Sequence, residues 1–191
     1  MSAELDRLIA RAEITDRLHL YCRGVDRRDP ELLLASFWPD SKVEFGMFSG
    51  GGQEFARSLV GWFADGGVGV TAHMLGNVVI AFDGEAAFTE CYLHATHRLR
   101  GEDGTEFDSI FGGRYQDRFE RRDGVWRIAL RRLVFDWFRE HPDSGDWSVG
   151  SMGVNAGNAV LGRAGADAGW DDHHAALGRL AEGAARAGAD R

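Results

Sequence analysis

Asp26 and His73 are the residues of this chain whose types best suit proton-transfer chemistry. An imidazole titrates near neutrality, and a carboxylate beside it fixes its tautomer and raises its basicity. His73 lies in an alternating stretch, Thr71 to Phe82. Strict alternation there places His73, Leu75, Asn77 and Val79 on one face and Met74, Gly76, Val78 and Ile80 on the other. Asp26 follows the apolar Tyr21 and Val25, and helical phase sets it over Cys22, on the flank of an apolar stripe. It reaches a sheet only if that flank faces one. Spacing alone does not join residues 26 and 73. Taken singly, His73 fits an ordinary core or interface histidine with a satisfied hydrogen bond, and Asp26 fits a helix end.

Other chemistry-bearing residues carry less. His94 shares a strand face with Tyr92 and Thr96 and suits either a second pocket acid or a satisfied sheet residue. Trp38, Phe111, Phe135 and Trp137 are aromatics at strand spacing, which serve a ring-binding pocket or plain core. Ser49-Gly50-Gly51-Gly52 precedes a helix but lacks the Lys and Ser/Thr of a phosphate-binding loop, so it reads as a flexible connection. In Asp171-Asp172-His173-His174 adjacent side chains point apart on a helix, so helix capping is expected there and no metal site.

The elements that must position these residues follow from periodicity. Leu5, Leu8, Ile9, Ile14, Leu18, Tyr21, Cys22 and Val25 recur at helical spacing and predict one amphipathic helix over residues 3 to 27. Asp29 caps a second, short helix with Pro30 at its first position, ending near Trp38-Pro39. A strand is expected from Lys42 to Phe48, and a third helix follows Gly52, with Phe55, Leu59, Val60 and Phe63 as its apolar face. From Thr71 onward, alternating segments are separated by Asp83-Gly84, Asp103-Gly104 and Asp123-Gly124, pairs suited to the positive φ of type I′ hairpins. Four antiparallel strands are predicted, over 71 to 82, 86 to 100, 106 to 121 and 125 to 138. Helices followed by a meander make an α+β domain over residues 1 to 138. Residues 139 to 191 are rich in Gly, Ala, Ser and Asp and read as a loop-dominated extension. A last helix there is capped by Asp171 or Asp172 and runs through Ala185, with Leu177 and Leu180 as its apolar face.

Composition narrows the function classes. The 191 residues suit one domain, and 44% hydrophobic with 27% charged residues is ordinary for a globular protein. A net charge of -8 argues against a phosphate-neutralising surface, so no nucleic-acid partner is expected. Cys22 and Cys91 are too few for a disulfide framework and read as reduced core thiols. The first residues lack the basic and apolar regions of a signal peptide, and no apolar stretch reaches the roughly 18 residues of a membrane span. A cytoplasmic protein with no membrane partner is the expectation.

Several runs together resemble SnoaL-like proteins of the nuclear transport factor two-like superfamily. They are Ala12-Glu13-Ile14, Tyr21 through Asp29, Phe37-Trp38-Pro39-Asp40, His73 with Asn77, Gly113-Arg114-Tyr115 and Arg121 through Ile128. The superfamily includes scytalone dehydratase, bile-acid dehydratase and lindane dehydrochlorinase. The resemblance covers about residues 5 to 138 and implies a cone-shaped, curved sheet with three helices around a pocket, in a homodimer or homotrimer that meets through the opposite sheet face. It implies that Asp26 orients His73 as a base, and that Tyr21 or Arg131, with Arg132 as the fallback for Arg131, stabilises developing charge. Asn77, Trp38, His94 and Trp137 are the expected substrate contacts. The function so implied is a lyase or isomerase, with no metal or organic cofactor, acting on a hydrophobic, cyclic small molecule. The alternative is a non-catalytic binding protein or an assembly subunit of the same fold.

Overall fold

The computed structural model describes residues 3–64, 68–146, 148–153 and 175–177. Helix α1, Ala3–Arg27, is exposed at its start and deeply buried from Ile14 onward, where Leu18, Tyr21, Cys22 and Val25 enter the core. Helix α2, Pro30–Ser36, crosses it closely. A Cβ on Gly24 would come within 3.0 Å of the Leu33 side chain, so glycine is what lets the two helices approach. Asp29 caps α2 as expected, its Oδ1 accepting from the backbone N–H groups of Glu31 and Leu32 at 3.1 Å.

The second helix ends at Ser36, earlier than Trp38-Pro39, and strand β1 begins at once, Phe37–Phe45. Trp38 precedes a proline, whose ring disfavours helical backbone at that residue, so extended structure starts before Lys42. The strand also stops before Phe48. Gly46, at φ 61°, turns the chain, and β2, Phe48–Gly51, returns antiparallel to β1. Gly50 and Gly51 are therefore strand residues, not a flexible connection. Helix α3, Gly52–Ala64, follows with Phe55, Ala56 and Leu59 buried.

The four long strands are β3, Val68–Asp83, β4, Ala86–Arg100, β5, Glu106–Arg122, and β6, Val125–Pro142. They form the expected antiparallel meander in a six-stranded sheet of order β2-β1-β6-β5-β4-β3. One pairing departs from the all-antiparallel expectation: β1 lies parallel to β6. The sheet is curved and does not close, so β2 and β3 are its edges. The helices fill its concave side against Ala87, Cys91, Leu93, Tyr115, Phe119 and Ile128. Only the third hairpin has both Asp123 and Gly124 at positive φ. In the first, the turn is Gly84-Glu85 with positive φ at Gly84 alone, and the second is a five-residue loop from Gly101 to Thr105.

Strict alternation fails in β3. Gly76 pairs with Tyr92 and Val79 with Glu90, so Asn77 and Val78 stand opposite Cys91 alone, a β-bulge. Asn77 takes φ 50°, a left-handed conformation that asparagine tolerates better than most residues. The bulge shifts the phase: Thr71, His73 and Leu75 face inward before it, Val78, Ile80 and Phe82 after it, and Val79 is exposed. Of the predicted last helix, residues 175–177 are helical, and the rest lies outside the described residues, as does Asp171 through His174.

If the left-handed Asn77 sets this phase, Asn77→Val should lower stability by about 1–2 kcal/mol, because a β-branched side chain resists that backbone. Asn77→Gly should be near neutral. Urea unfolding midpoints of the two variants test this, and equal midpoints would remove the explanation.

Candidate active site

The end of α1 faces the edge strand β3, and there Asp26 meets His73. The Nδ1 of His73 lies 2.6 Å from Asp26 Oδ1. The same carboxylate accepts the Thr71 hydroxyl on Oδ1 at 2.9 Å and the His73 backbone N–H on Oδ2 at 2.9 Å. The His73 side chain is 6% exposed and that of Asp26 15%. A carboxylate at Nδ1 selects the tautomer with its proton on Nδ1, which leaves the Nε2 lone pair available as a base. Nε2 has no hydrogen-bond partner among the described residues. An open cleft of about 250 Å³ lies beside the pair, between His19, Cys22, Arg23, Asp26 and Arg27 of α1 and His73 and Leu75 of β3.

His97 belongs to this site although sequence reasoning passed over it. Its ring meets that of His73 edge to face at 5.1 Å and stacks on Phe111 at 5.2 Å. Burial, with the neighbouring His73 second, pulls its pKa from 6.5 to about 4, so it is neutral at pH 7. The signal was present in β4. Ala87, Cys91, Leu93 and Ala95 mark the odd positions as the inward face, and His97 continues that phase.

The same phase corrects His94, which points to the convex face and is exposed. Trp137 lies on that face too, 43% exposed, its indole 6.0 Å from the His94 ring and laid across Gly112, where a Cβ would come within 2.4 Å. Neither residue reaches the cleft. Asn77 sits exposed on its bulge. Trp38 is at the other end of the sheet, beside the β5–β6 turn. Its indole lies 4.9 and 5.0 Å from the guanidinium groups of Arg122 and Arg127 and donates to the Glu120 carbonyl at 3.0 Å.

Tyr21 and Arg131 come together, but in the core. The Arg131 guanidinium donates to both oxygens of Asp117, at 2.8 and 2.7 Å, and lies 4.1 Å from the ring centres of both Tyr21 and Tyr115. Arg131 and Asp117 side chains have no exposure. Burial opposes the Arg131 charge and the Asp117 carboxylate more than offsets it, so the guanidinium remains protonated. A cation already bound by a buried carboxylate has little charge to offer a substrate, and the expected charge-stabilising role does not follow from this placement. Arg132 faces outward and pairs with Glu44. Burial raises the Tyr21 phenol to about 12, the Cys22 thiol to about 12 and the Cys91 thiol to about 11, and both cysteines are free.

A curved open sheet with three leading helices is the nuclear transport factor two-like fold. Within it, the SnoaL-like domain profile matches residues 6–132, and the chain belongs to that family. The uncharacterized protein Rv2910c of Mycobacterium tuberculosis is 30% identical over 150 residues, covering 73% of this chain and 99% of that protein. The hexachlorocyclohexane dehydrochlorinase LinA-type3 of Novosphingobium barchaimii shares 26% identity at a TM-score of 0.65, over 75% of this chain and 96% of that one. Rv3472 of Mycobacterium tuberculosis, of unknown function, shares 26% at a TM-score of 0.60, over 97% of this chain and 94% of that one. Lyases thus stand among the structural neighbours.

Two outcomes follow. Asp117→Asn leaves Arg131 buried without its carboxylate and should cost about 3–5 kcal/mol in urea unfolding. For His97, the unfolded chain binds the proton more readily, so its contribution to stability is full above pH 6.5 and is lost as pH falls toward 4. His97→Phe should remove as much as about 3 kcal/mol of the wild-type decline across that window. Parallel unfolding curves for the two proteins would refute the assignment.

Proposed function

We propose that the chain is a lyase or isomerase that works by proton abstraction, with no metal or organic cofactor in the step. The observation that carries this reading is the 2.6 Å contact between Asp26 and His73 Nδ1, with Nε2 left unpartnered among the described residues at the edge of an open cleft. Nε2 of His73 removes an acidic C–H proton from a hydrophobic ring compound, and Asp26 stabilises the imidazolium that forms. The electron pair then expels a leaving group on the neighbouring carbon, giving elimination, or the proton returns elsewhere on the ring, giving isomerisation. Arg23 lines the same cleft, and a cation there would favour the negative charge that develops. A dehydrochlorinase among the structural neighbours supports the elimination branch.

The test is turnover of a panel of ring ketones and ring compounds bearing β-halogen or β-hydroxyl groups, followed in deuterated water by mass spectrometry. Wild type should exchange or eliminate, His73→Ala should be slower by about 10²–10⁴-fold, and Asp26→Asn should also fall while remaining folded. Binding of panel members without exchange or elimination, equal in wild type and His73→Ala, would instead favour a carrier or assembly subunit.

A further inference from the structure

Two arginines are buried among the described residues, and the fold treats them differently. Arg131 donates to both oxygens of Asp117. Arg17, midway along α1, is 2% exposed, yet its Nε and Nη1 have no hydrogen-bond partner among the described residues. Its neighbour is Arg127, near the start of β6, against which α1 packs. Nε of Arg127 is also buried without a partner. Burial, then the charge of Arg127, pulls Arg17 from 12.5 down to about 10, and Asp16 and Glu13 on its own helix return only part of that. The Arg127 guanidinium lies 5.0 Å from the Trp38 ring. Arg122, beside the same ring, is already paired with Asp40 and Glu120.

A buried donor without an acceptor costs its desolvation, and a buried charge costs more. Two neighbouring guanidinium groups add repulsion. For Arg131 the Asp117 carboxylate offsets such costs, whereas no carboxylate hydrogen-bonds the buried nitrogens of Arg17. An anion seated between Arg17 and Arg127 would offset all of them together. The planar fork of a guanidinium matches the oxygens of an oxyanion better than a halide. Two forks carried on different elements need more than the two oxygens of a carboxylate, and a tetrahedral anion has four. With 2% of Arg17 open, the space admits a small ion and not a bulky ester.

We propose that Arg17 and Arg127 form a binding site for a small tetrahedral oxyanion, inorganic phosphate or sulfate, where α1 meets the start of β6. The site shares no residue with the Asp26–His73 cleft, so it does not rest on the proton-abstraction reading. The bound anion ties the middle of α1 to β6, and its binding therefore reads out as stability.

The experiment is calorimetric titration of the full chain with phosphate, sulfate and acetate at an ionic strength held constant with sodium chloride, alongside urea unfolding with and without phosphate. Wild type should bind one phosphate with a Kd of about 1 mM or below and unfold at higher urea in its presence. Acetate should bind about tenfold more weakly. Arg17→Met should lose the phosphate-dependent rise and, without phosphate, unfold no earlier than wild type, because it removes a buried charge that has no partner. Arg127→Gln, at a half-buried position, should weaken phosphate at least about tenfold, and it carries the test if Arg17→Met does not fold. No saturation up to about 50 mM phosphate, acetate binding as tightly as phosphate, or unchanged affinity in either variant would each overturn the site. Binding lost in Arg23→Gln and kept in Arg17→Met would put the anion in the cleft and overturn it equally.

Discussion

The Asp26 carboxylate is the constraint on which the site depends, because it meets two demands at once. Strand β3 is a sheet edge, and an edge strand presents backbone N–H groups with no strand to receive them. Asp26 takes the N–H of His73 on one oxygen and both the imidazole and the Thr71 hydroxyl on the other. The group that orients the His73 imidazole is thus also the group that satisfies the sheet edge and ties it to α1. Three donors converging on one carboxylate fix the imidazole far more narrowly than one hydrogen bond would, and such pre-orientation is what a general base requires. In the proposed proton abstraction, one helix-end aspartate would therefore serve both the fold and the chemistry.

Away from the edge, the interior settles its charges differently. Arg131 and Asp117 are directly opposed across β5 and β6, fully buried, and capped by the rings of Tyr21 and Tyr115. Bidentate pairing and two aromatic faces are the surroundings in which an arginine can be held in a dry core. Cys22 lies between the two regions, feeling both Arg131 and Asp26. The result is a division of labour along α1: Tyr21 serves the packed core, and Asp26, five residues on, serves the open cleft.

The two faces of the sheet also differ in kind. The concave face carries His73, the neutral His97 and Phe111 stacked on it, whereas the convex face carries Tyr92, His94 and Trp137 beside an Arg114–Asp136 pair. Which residue falls on which face is decided locally by bulges. Asn77 re-phases β3, and Ala129 and Asp136 are the extra residues that re-phase β6 against β5. Without the Ala129 bulge, Arg132 rather than Arg131 would enter the core.

Much of the fold was legible because its signals are short-range. The 3.6-residue stripe from Ile14 to Val25, the Asp29-Pro30 start and the three Asp-Gly pairs each depend on neighbours in sequence, and each marked a helix, a cap or a strand boundary. The odd positions of β4 even encoded the inward face that holds His97. The pairing of Asp26 with His73 was reached through family resemblance, since spacing says nothing about residues 47 apart. Tertiary structure alone decided the parallel β1–β6 pairing, the bulge at Asn77, the burial of Arg131 on Asp117 and the placing of Trp38 beside Arg122 and Arg127. The physical reason is one of range. Periodicity and turn preference are properties of a few adjacent residues, whereas strand register, bulge phase and charge pairing are fixed only when distant segments compete for the same partners.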